Sequence, residues 1–210
     1  MKILKAYLHL VPVLMASACS TETPATMPSI PIDEITSRVD VLNAEISDYR
    51  LVSEEMPISG SANYSGLFSL HGSSINPTDE EERVNVVIGD LELNVTFSGS
   101  GNATGTIDNF YYVHGSVPLD GTATIPAVEG SLTITNGELE RSYINYPELI
   151  ANVEGEIDLP DDFITEVAGG TTGVSGQLYA DFYENGITGD FEGSLSGDED
   201  VSGFFIAVEE

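Results

Sequence analysis

Side-chain chemistry in this sequence rests on very few residues. Cys19 is the only cysteine, and His71 and His114 are the only histidines besides His9. The two members of this histidine pair look alike: each closes an expected strand and precedes a glycine, Gly72 or Gly115, with Tyr111 and Tyr112 close to the second in sequence. Imidazole and phenolate are iron ligands, and an apolar barrel mouth suits a porphyrin. His71, His114, Tyr111 and Tyr112 therefore form a candidate haem-binding set. The set requires 83–98 to be one strand bent at Gly89, so that strands 60–70 and 103–113 run parallel and finish at one mouth. Turn histidines can also share an end by accident.

Other chemistry is sparse. There is no Gly-x-Ser-x-Gly elbow, no His-Glu-x-x-His pair and no phosphate-cradling Gly-x-x-x-x-Gly-Lys loop. Carboxylates are too numerous for any pair to single itself out as a glycosidase dyad. Asp79–Glu82, Asp161-Asp162 and Asp198–Asp200 are acidic runs in expected loops, and none has the spacing of a calcium loop. They read as solvated charge, and no metal site or enzymatic activity is expected.

The charge balance narrows the partners. Acidic residues number 35 against 6 basic ones, a formal net charge of −29. Such a field repels nucleic acid and anionic membrane surfaces, and it favours solubility or the steering of a basic partner. Lys2 and Lys5 precede a short apolar run, Ala6–Met15, and then Ala16-Ser17-Ala18, which together make a signal peptide over 1–18. That run is too short to span a bilayer. Cys19 directly after the small residues resembles a bacterial lipobox, although Ala16 stands where Leu is usual. The resemblance implies acylation of Cys19, and Ser20 in the next position implies the outer membrane. Residues 19–31, with Pro24, Pro28 and Pro31, form an extended tether.

The elements that would position these residues are set by periodicity. Within 32–52, Ile35, Val39, Leu42, Ile46 and Tyr49 recur at helical spacing, which predicts a helix over about 34–48, capped by Asp33 and laid as a lid against the strands beyond it. From 53 to 210 the period is two. Leu91, Leu93, Val95 and Phe97 alternate with Asp90, Glu92, Asn94, Thr96 and Ser98, and Leu149–Leu159 and Ala62–Leu70 alternate in the same way. Asn136-Gly137 and Asn185-Gly186 suit two-residue hairpins. Eight to ten strands are expected, some of them fused from 60–70, 83–88, 90–98, 103–113, 119–127, 129–135, 138–146, 148–159, 174–184, 187–196 and 201–209. Glycines in phase with the apolar set (Gly66, Gly105, Gly155, Gly193) favour an all-β antiparallel barrel of about eight strands over a sandwich.

Gly176-Gln177-Leu178-Tyr179-Ala180-Asp181-Phe182-Tyr183, then Gly189-Asp190-Phe191-Glu192-Gly193 and Gly203-Phe204-Phe205, resemble the closing hairpins of the transferrin-binding protein B-like barrels. Pro57–Gly66 resembles the opening strand of that family's single-barrel relatives, which also carry a preceding helix. The likeness spans about 55–210, with Glu184 where the family has Gly. It implies a surface-displayed lipoprotein that binds a solute or protein, with iron or haem capture as one form. A structural or adhesive coat protein without a small ligand is the competing expectation. A lined, open mouth would favour the first, and a filled interior the second.

Overall fold

The computed structural model describes residues 29–46, 48–52, 54–75, 82–115, 123–141, 146–164, 169–196 and 199–210. The leader, Cys19 and most of the tether lie outside these residues, as do Asp79, Glu80, Glu81 and Asp198 from the acidic runs, whose members Glu82, Glu199 and Asp200 stand in strands rather than in the expected loops.

Eight long strands alternate apolar and polar residues, and the apolar phase turns to one side of a sheet that closes on itself. They are β2 (Ser61–Ile75), β3 (Glu82–Thr96), β4 (Asn102–Val113), β7 (Gly130–Glu140), β8 (Glu148–Leu159), β9 (Gly170–Tyr183), β10 (Gly186–Leu195) and β11 (Glu199–Glu209). Every neighbour is antiparallel, in the order β3-β2-β11-β10-β9-β8-β7-β4, with β4 returning to β3. Among the described residues, three two-residue strands lie outside this ring. β1 (Ile30–Pro31) pairs with β5 (Thr124–Ile125), and β6 (Ala127–Val128) pairs with β4. The fold is thus an eight-stranded antiparallel barrel preceded by one short helix.

Several boundaries differ from the expectation. The helix, α1, runs Ile32–Glu45, earlier than 34–48, and its N-cap is Pro31 in extended backbone with no side-chain cap. Proline's fixed φ suits this entry, and Asp33 and Glu34 instead fall in the first turn, where the helix dipole favours them. Tyr49 lies beyond the helix. Residues 83–88 and 90–98 form a single strand, β3, bent where Gly89 faces a bulge that includes Asn109 (φ 52°). Asn136-Gly137 makes no hairpin, because Asn136 takes the expected positive φ (52°) within β7, as a bulge opposite a continuous β8. The β9–β10 turn is Glu184-Asn185, one residue early, clamped by the Glu184 amide donating to the Tyr49 carbonyl. Of the strand expected over 119–127, residues 119–122 lie outside the described residues, and the remainder forms β5 and β6, separated by Pro126, which has no N–H to donate.

The interior is filled. Phe68, Phe110, Phe182, Phe191 and Phe205 are fully buried with Leu70, Ile107, Leu132, Ile134, Val153 and Ile157 around them. Glycine makes room for this packing: a Cβ on Gly176 or Gly193 would meet the Phe191 ring at 2.7 or 2.5 Å. The Gly–aromatic alternation thus reflects rings lying over inward-facing glycines.

The segment 30–60 straps the barrel from outside. It joins at the end where β4 finishes, which we term the near rim, with the Ile32 amide bonded to the Ala123 carbonyl. There Ile32, Ile35 and Ile125 build a second, small core against Ile88, Tyr111 and Val113, which face outward from the wall. α1 then runs along the outer wall, tied by an Arg38–Asp90 ion pair, and reaches the far rim, where the Asn185 side chain donates to the Glu45 carbonyl. The helix therefore lies along the wall and covers neither mouth.

Candidate functional site

The near rim holds the sequence-derived candidates, and it separates them by face. β2 and β4 do run parallel, with β3 continuous between them, so His71 and His114 finish at one end of the barrel. Alternation then turns them apart. Leu70 and Gly72 are buried, so His71 between them lies on the outer wall, half-buried, with its Nε2 3.1 Å from the Ser69 hydroxyl. Burial lowers the His71 pKa below the ordinary histidine value. His114 continues the inward phase of Phe110 and Tyr112, and its Nε2 stands 3.4 Å from an Asp162 carboxylate oxygen. Tyr112 points inward beside it, while Tyr111 points outward into the small core under α1. The four residues thus divide between the two faces of the wall and share no site.

A stopper occupies this rim instead. Residues 160–164 turn back into the mouth, the Phe163 amide bonding to the Pro160 carbonyl at 3.0 Å, and the Phe163 ring is buried against Tyr112. Gly72 is required here, since a Cβ would come within 2.5 Å of the Phe163 carbonyl oxygen. Asn85, fully buried, holds the stopper by donating to the Asp162 and Phe163 carbonyls at 2.7 and 3.2 Å, and it accepts from the Gly115 amide at 3.0 Å. The Tyr112 hydroxyl donates to the Asp162 carboxylate at 2.9 Å, and burial with that bond raises the phenol's pKa well above its ordinary range. A buried polar network of this kind stabilises when each member is bonded. Sequence reasoning missed Asn85 and Phe163. Asn85 carries a signal, being a polar residue in phase with Val87 and Leu91, and Phe163 is an aromatic set beside an acidic loop run.

The far rim is closed by the strap. The Leu51 amide donates to the Phe182 carbonyl, Arg50 bridges to Tyr183, and Met56 is buried in the main core. A cleft of about 300 Å³ remains between strap and rim, bordered by Met56, Tyr64, Phe182, Glu184 and Glu209. The three arginines whose side chains are described all bind the strap to the barrel. Arg38 pairs with Asp90, Arg50 with Asp181, and Arg141 donates to the Pro57 and Phe97 carbonyls at 2.7 and 2.6 Å. Further clefts open on the outer wall, one of them between α1 and the wall at Arg38, Val41, Leu42 and Leu91. Among the described residues no group of three His, Cys, Asp or Glu side chains is placed to hold a metal ion.

No protein-family model, curated protein or solved structure matches the chain. The likeness to the transferrin-binding protein B-like barrels is carried by the quoted motifs alone.

Proposed function

We propose that this chain is a lipid-anchored cell-surface protein whose barrel is a rigid scaffold, binding a basic protein partner on its exterior rather than a small solute inside. The observation that carries this reading is the filled interior, stopped by Phe163 at one rim and by Met56 at the other. Small barrels that hold a ligand leave a cavity for it, and this one has spent that space on its own side chains. The basic character of the partner is supported by the charge of −29 and by the use of all three described arginines as internal ties.

Cross-linking tests the reading. Lys2 and Lys5 are the only lysines and lie in the leader, so the processed chain offers carboxylates and no lysine amine. Carbodiimide treatment of intact cells joins carboxylates to amines, and an adduct through a lysine must then carry a foreign one. Adducts of discrete size are expected. Monomer alone, together with stoichiometric binding of haem to the purified protein, overturns the reading. The anchor is tested separately: Cys19→Ser should release a folded protein from the membrane fraction, and retention there refutes lipidation.

By the expectation above, the filled interior favours the competing reading, a coat protein with no small ligand, and it counts here only against a solute bound inside. Exposed apolar groups at the far rim favour binding of a partner over the coat reading.

A further inference from the structure

Four of the large apolar side chains that remain exposed gather at the far rim. They are Tyr49 (51%), Val52 (38%), Ile58 (83%) and Tyr146 (47%). Tyr146 lies under the Arg50 guanidinium, 4.2 Å from ring centroid to Cζ. The Tyr49 hydroxyl donates to Glu55 at 2.8 Å, and the Val52 amide donates to the same carboxylate at 3.2 Å. Ile58 comes directly after Pro57, whose carbonyl is held by Arg141. These contacts place the four on one end of the barrel, three of them on the strap that the arginines tie down and Tyr146 just before β8. Single exposed apolar residues need no explanation, whereas several held at one end of a molecule are the kind of feature that marks an interaction surface.

The charges around the group specify the partner. Glu54, Glu55 and Glu184 are exposed beside it. On the wall immediately below, Glu140 stands opposite Glu148, and Glu148 opposite Asp181, which puts three carboxylates in one outward row. Like charges directly opposite each other destabilise a sheet, and Arg50, paired to Asp181, is the cation that the described residues supply to this row. A cationic partner would relieve the repulsion that remains.

We infer that the far rim is the docking surface for a basic, amphipathic protein segment, whose apolar side chains meet Tyr49, Ile58 and Tyr146 while its lysines or arginines meet the surrounding carboxylates. This assignment rests on the reading of the chain as an exterior binder of basic proteins. It also fits the geometry of an anchored chain, because residue 30 joins at the opposite rim.

The probe is a fluorescent peptide of about twelve residues alternating lysine with leucine or phenylalanine, read by anisotropy against the full chain. A lysine–serine peptide of the same charge is the comparison. The apolar-basic peptide should bind at least about tenfold more tightly, and the combined variant Tyr49→Ser, Ile58→Ser, Tyr146→Ser should lose about that factor. Ile58→Ser alone should also weaken binding, and at its exposure it cannot disturb the core. Phe204→Ser, on the wall away from this rim, should change nothing. Equal binding of both peptides, or an unaltered combined variant, overturns the inference. Cross-links at Glu154 and Glu156 of the wall, with none at Glu54, Glu55 or Glu184, leave exterior binding standing and remove the far rim as its place.

Discussion

Two hydrophobic regions lie on opposite sides of one sheet, and they are built on different periods. The interior draws on each of the eight barrel strands at period two and is stopped by Phe163 at one rim and Met56 at the other, with Phe68 and Phe191 packed edge to face at 5.5 Å. The small core outside draws Ile32 and Ile35 from a helix and sets them on Ile88, Tyr111 and Val113, which break the alternation of their strands. The first region makes the fold. The second fastens a strap to it, and through that strap carries Tyr49, Val52 and Ile58 to the far rim. A barrel of this size stands on its interior, whereas a 14-residue helix is marginal in water without a surface to cover.

Substitution inside the barrel is expected to have the largest effect. Phe191→Ala removes a fully buried ring from between Phe68 and the glycines of β9 and β10. The ring lies over glycines that offer no side chain to fill the space it leaves, so a loss of about 3–5 kcal/mol is expected, in one cooperative unfolding transition. Chemical denaturation measures this. A loss below about 1 kcal/mol would mean that the interior is loosely packed, and the case against an internal ligand would fall with it.

Ile35→Ala sharpens the contrast from the other side. Ile35 is buried, but its surroundings are one helix, one short pairing and a sheet that is complete without it. About 2 kcal/mol is expected, at the lower end for such a truncation because the helix can settle inward. The loss should be local. Hydrogen exchange should show α1 amides opening at a lower cost than in the parent, while the amides of β8 and β9 keep their protection. Equal loss of protection in the strands would show that strap and barrel are one cooperative unit.

This division also explains what could be read from the residues alone. Leu91, Leu93, Val95 and Leu149–Leu159 announce their inward face by strict alternation, and the barrel is their consequence. Tyr111, Val113 and Ile88 carry no such signal, because an outward apolar residue looks like an error of phase until the helix that covers it is placed. Asn136-Gly137 shows a different limit. The dipeptide does specify a positive φ, but whether that bend becomes a hairpin or a bulge depends on β8, which continues alongside it. The histidine pair failed in a third way. Topology did bring both to one rim, and a single residue of phase then sent them to opposite faces.

The smallest effect expected is on pH dependence, and it belongs to the outer wall. The interior phenols, Tyr64 and Tyr112, are pushed upward in pKa by burial and neighbouring carboxylates, so they stay neutral in both folded and unfolded chains near neutrality. His71 differs, since burial on the outer wall beside Ser69 lowers its pKa in the folded state. The unfolded chain therefore binds its proton first as pH falls. Hence His71 costs nothing above the ordinary histidine pKa of about 6.5, and it destabilises the fold progressively below that value until its own folded pKa is passed. Carboxylates titrate over part of the same range, so the informative quantity is the difference between parent and His71→Gln. Between pH 7 and 5 the parent should lose slightly more stability than the variant, in denaturant midpoints taken at matched ionic strength. Parallel curves would show that the imidazole reaches water freely and that the wall is open around Ser69. A parent that instead gains on the variant as pH falls would mean that a carboxylate stabilises the charged ring, which would draw His71 into the acidic field that dominates the rest of the surface.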